Sequence, residues 1–66
     1  MTTEEAKLRI QSAIDQFADR AGVAIDLVIN EVRSSLGNET ANMLIDEFDL
    51  ELRYNIAPSE PEGSGD

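Results

Sequence analysis

Apolar residues recur along the first third of the chain with the period of a helix. Ala6, Ile10, Ala13, Ile14, Phe17, Ala18 and Ala21 fall at i, i+4, i+7, i+8, i+11, i+12 and i+15, which lines one face at about 100° per residue. Leu8 alone lies off that stripe, as an exposed apolar residue or an edge contact. Thr2 and Glu5 have the spacing of a capping box, with acids in the first turn to suit the helix dipole. Gly22 follows the last apolar position, where a helix often ends on glycine. The spacing predicts an amphipathic helix over 3–21.

The next stretch, Val23 to Ile29, is richer in β-branched residues, so a buried strand is conceivable. Ile25, Val28, Ile29, Val32 and Leu36 nevertheless keep helical spacing, with Asn30, Glu31 and Arg33 between them. They predict a second helix over 24–36, joined to the first as an antiparallel hairpin. One helix bent at Gly22 is the alternative. Gly37 and Asn38 mark the clearest boundary, Gly37 ending one helix and Asn38 capping the next, with Glu39 in its first turn.

The third stretch reads two ways. Ala41, Leu44, Ile45, Phe48 and Leu52 occupy one face of a helix over 39–55, while Met43, Leu50 and Tyr54 fall together on the opposite face. Alternatively, Phe48, Leu50, Leu52, Tyr54 and Ile56 alternate with polar residues, the period of a half-buried β-strand over 48–56. Leu, Glu and Arg favour the helix, since strands prefer Val, Ile and Thr. A helix with two opposed apolar stripes needs two partners to cover it, and a lone strand needs another strand. The expected fold is therefore all-α: two to three short amphipathic helices in a hairpin or bundle, completed by dimerisation through 41–56. Residues 1–56 form the domain. Residues 57–66, with two Pro, two Gly, two Ser and three acids, form a disordered acidic tail, because no apolar group there offsets the ordering entropy.

Size reinforces the expectation of a dimer. A chain of 66 residues has a small core, and such scaffolds usually recruit a disulfide, a metal or a second subunit. With no Cys and no His, the first route is closed and the usual zinc and transition-metal ligands are missing. No cofactor is expected.

Fourteen acids against five bases give a net charge of −9. That disfavours direct contact with nucleic acid or an anionic membrane and suits either solubility or a basic protein partner. No apolar run approaches the ~20 residues of a membrane span, and MTTEEAKLR is not a signal-peptide opening, so a cytoplasmic protein is expected. Catalysis would have to rest on carboxylates, Lys7 or Tyr54, and neither phosphate-binding, dinucleotide nor nucleophile-elbow motifs occur. The chain is read as non-catalytic.

What remains is a candidate partner-binding surface: the apolar trio Met43, Leu50 and Tyr54, beside the acids Asp46, Glu47, Asp49 and Glu51. Met adapts to irregular partners, Tyr is enriched in interface cores, and carboxylates suit a cationic groove. The reading is a small acidic regulator or inhibitor that occupies a partner protein's surface, one with a basic or nucleic-acid-binding face. An assembly adaptor that acts through its own oligomerisation is the alternative. In size and charge alone the chain is similar to virus- and phage-encoded inhibitors of host proteins, some of which imitate nucleic acid.

Overall fold

Thr2 starts the chain's first helix as the spacing predicts: its hydroxyl oxygen accepts the Glu5 N–H at 3.1 Å, relieving one of the unpaired donors of a helix start. The computed structural model describes residues 1–58. Over that range it is all-α, with helices α1 (Thr3–Phe17), α2 (Gly22–Ser35), α3 (Asn38–Glu47) and α4 (Leu50–Tyr54), and a 3₁₀ turn at Ala18–Arg20 between the first two. There is no strand among the described residues, so the alternation at 48–56 does not form one.

The core is built from the predicted stripes. Ala6, Ile10 and Ala13 of α1, Ala21, then Ile25, Ile29 and Val32 of α2 are buried against Ala41, Leu44 and Ile45 of α3. Ile14, Val28, Leu36 and Phe48 pack around them half-buried. No polar side chain lies in this core, so apolar burial, at roughly 25 cal/mol per Å², supplies its cohesion. Two exposed ion pairs cross between helices, Lys7–Glu47 at 3.5 Å from α1 to α3 and Arg9–Glu31 at 3.4 Å from α1 to α2. Pairs so open to solvent add little.

The boundaries differ from the sequence reading in three places. The first helix ends at Phe17, and the positive-φ position that follows is Ala18 (φ 49°, ψ −113°), while Gly22 is the first residue of α2. Gly37 (φ 100°) takes the N-cap position of α3, and Asn38 is already helical. The Gly37 carbonyl accepts the Ala41 N–H at 3.2 Å. The third difference decides the surface. The helix expected over 39–55 breaks at Phe48 and Asp49, where Asp49 is left-handed at φ 59°, ψ 39°. Asp tolerates that region better than most residues with a Cβ, and the turn redirects everything after it. The expected tail at 57–66 enters the described residues only at Ala57, whose carbonyl accepts an Arg33 N–H at 3.0 Å, and Pro58; the rest lies outside them.

Candidate interaction surface

The break at Asp49 exchanges the roles of two leucines. In an unbroken helix Leu52 would continue the core stripe of Leu44, Ile45 and Phe48, and Leu50 would face the other way. In the structure Leu50 is 0 % exposed and Leu52 is 82 % exposed. Met43 stays on the outer side of α3 at 45 % exposure. Tyr54 is drawn inward: its hydroxyl donates to the Ala18 carbonyl at 2.8 Å, and its ring lies along α2 beside Gly22. Met43, Leu50 and Tyr54 therefore do not share one face. The register that would align them needs the continuous helix, and Leu50 and Tyr54 are turned onto the chain's own body.

Ala18 is bound into the same arrangement. Its positive φ aims a carbonyl that also accepts the Ala21 N–H at 3.1 Å, so one oxygen serves both the turn and Tyr54. The Arg33 to Ala57 hydrogen bond fastens the chain beyond α4 to α2, and Ile56, after the left-handed Asn55, is buried in the core.

The acids divide as well. Glu47 reaches across to Lys7 of α1. Asp46, Asp49 and Glu51 line a concavity of about 340 Å³ together with Asn42, Ile45, Leu52 and Pro58. None of these three carboxylates forms an ion pair among the described residues. The result is one exposed leucine set among three acids. Sequence reasoning missed Leu52 because it sits on the core stripe of a straight helix; the available signal was the αL-tolerant Asp49 within the pattern.

A second apolar area lies on the other side, where Leu8, Ala13 and Phe17 of α1 face Ala24 and Val28 of α2 across an open groove of about 400 Å³. Arg9 lies in that groove, paired with Glu5 and Glu31. Leu27 and Val23 are exposed farther round α2. Among the described residues no three acidic side chains converge to hold a metal ion, and no helix is long and apolar enough to cross a membrane. No protein-family model, curated protein sequence or solved structure matches this chain.

Proposed function

We propose that the protein is a non-catalytic regulator or inhibitor that binds another protein through the surface formed by α3 and α4. The observation that supports this reading is Leu52, exposed among Asp46, Asp49 and Glu51. An apolar side chain anchors a contact by leaving water, while surrounding carboxylates orient a cationic partner and speed its approach. Met43 is a further exposed apolar side chain on α3. The partner this chemistry suits has an apolar pocket rimmed by Lys and Arg, such as a nucleic-acid-binding face. The overall charge of −9 favours the same partner class over nucleic acid itself.

The test is affinity capture from source-cell extract with three baits: the unaltered chain, Leu52→Ser, and Asp46→Lys/Glu51→Lys. Asp49 is left intact because its backbone conformation is special. Both changes are at exposed positions and should leave the helical circular dichroism unchanged. The expected result is a stoichiometric partner retained by the first bait and lost or much reduced on both variants. A partner held equally by all three, or no partner, overturns the assignment of this surface.

A further inference from the structure

We infer that α4 is an exchangeable arm: two copies form a dimer by each inserting residues 50–57 into the other's slot, with Phe48 and Asp49 as the hinge. The inference does not rest on the partner-binding reading, but both use Leu52: the exchanged dimer covers it, so a second copy and a partner compete for that side chain.

Three observations meet at the hinge. The first is the backbone. No Gly or Pro occurs between Asn38 and Ala57, and the apolar period of the helix runs through the break. The turn is held by a residue with a Cβ at positive φ, and the Asp49 N–H bonds only three residues back, to Asp46 at 3.2 Å. Asp49 offers no side-chain cap to α4. Straightening would let the N–H groups of residues 49–52 rejoin the i to i−4 ladder. It would produce one helix over 38–54, close to the helix that the spacing predicts.

The second observation is what α4 touches. It is five residues long, too short to be stable in isolation. Leu50, the Tyr54 hydroxyl, Ile56 and the Ala57 carbonyl attach it to the rest of the body. Every one of these contacts can be made equally by the arm of a second copy, which is what makes exchange inexpensive.

The third is Leu52. It is the most exposed large apolar side chain of the described residues, and in the bent chain it has no packing role. In a straightened helix it returns to the stripe of Leu44, Ile45 and Phe48, where two hinge segments meet across the dimer. Exchange thus preserves the old contacts, relieves the left-handed residue and covers Leu52.

A chain without cysteine allows a direct test. A Cβ placed at Gly22 would lie 3.8 Å from the Tyr54 Cβ, the mean separation across a disulfide. Gly22→Cys/Tyr54→Cys is oxidised at rising concentration, with light scattering before oxidation and denaturing gels without reductant after it. The expected result is an intrachain link in dilute solution and a covalently linked dimer where scattering finds two chains. Two-chain particles carrying only intrachain links overturn exchange, as does a one-chain mass up to about millimolar concentration, where even weak dimers form.

Because losing Tyr54 weakens the arm's attachment, a second pair of variants reads the hinge alone. Asp49→Ala disfavours the left-handed turn and favours the straight helix, whereas Asp49→Gly does the reverse. With two hinges per dimer, Asp49→Ala should raise the association constant by roughly tenfold or more and Asp49→Gly should lower it comparably. No change, or the opposite order, overturns the inference.

Discussion

Among the described residues, three with a Cβ hold positive φ, Ala18, Asp49 and Asn55, beside a single glycine that does, Gly37. Gly22 looks like a helix terminator, yet it lies inside the first turn of α2, and a Cβ there would make only ordinary contact with Tyr54, at 3.6 Å or more. Ala18, at φ 49° and ψ −113°, carries the positive-φ position instead. Gly37, at φ 100°, needs its freedom although a Cβ would meet nothing within 4 Å. Three substitutions should therefore separate cleanly. Gly22→Ala and Ala18→Gly are each expected to stabilise, the first by restricting the unfolded chain and the second by removing strain, by about 0.5–1 kcal/mol. In a domain of this size that corresponds to several degrees of melting temperature. Gly37→Ala is expected to lower it by a similar or larger amount. Thermal unfolding followed by circular dichroism ranks the three, and a stabilising Gly37→Ala would contradict the backbone assignment.

On the scale of elements, α1 and α2 were legible because the residues that form the core keep a continuous helical period within each, although α1 ends four residues before the expected 21. The all-α class, the boundary at Gly37 and the core residues Ile10, Ile25, Ile29, Val32, Leu44 and Ile45 follow from that spacing. The end of α3 was not legible for a physical reason. Local propensity and periodicity favour continuation past Phe48, whereas the bent chain gains burial of Leu50 and Ile56 and the bond from Tyr54 to Ala18, which are non-local. A pattern read within one segment cannot weigh contacts to α1 and α2 some thirty residues earlier.

The same inversion gives the sharpest element-scale prediction. Leu50→Ala should cost about 2–5 kcal/mol, a large part of the stability of a chain this small, and Leu52→Ala should change it by less than about 0.5 kcal/mol in the single-chain state. Urea titrations of dilute samples measure both. Equal costs would mean that α3 and α4 form the straight helix in the single chain too. Tyr54→Phe should fall between them, at about 1 kcal/mol for one lost hydrogen bond. Tyr54 is consequently a poor probe of partner binding, because its removal loosens the body first.

At the scale of the whole molecule the decisive quantity is charge. Residues 38–58 carry Glu39, Asp46, Glu47, Asp49 and Glu51 against Arg53 alone, while residues 1–37 carry six acids against four bases. The ion pairs among the described residues are all open to solvent and involve Lys7 and Arg9 of α1. Self-repulsion is thus spread over the surface, is strongest around α3 and α4, and is balanced by few compensating contacts. Such repulsion opposes any compact state and any association of two copies. Screening should therefore help folding rather than hurt it. Raising salt from about 50 to about 500 mM shortens the screening length from roughly 14 Å to roughly 4 Å, and the melting temperature should rise by a few degrees, because the loss of weak exposed pairs is outweighed by the relief of repulsion. The same change should strengthen the proposed exchange dimer and weaken binding to the proposed basic partner, which predicts opposite salt dependence for the two. Sedimentation of the free protein and a binding titration with the captured partner, run across the same salt series, measure them side by side. A dimer that dissociates as salt rises would show that specific ion pairs, rather than exchanged apolar contacts, hold the two chains together.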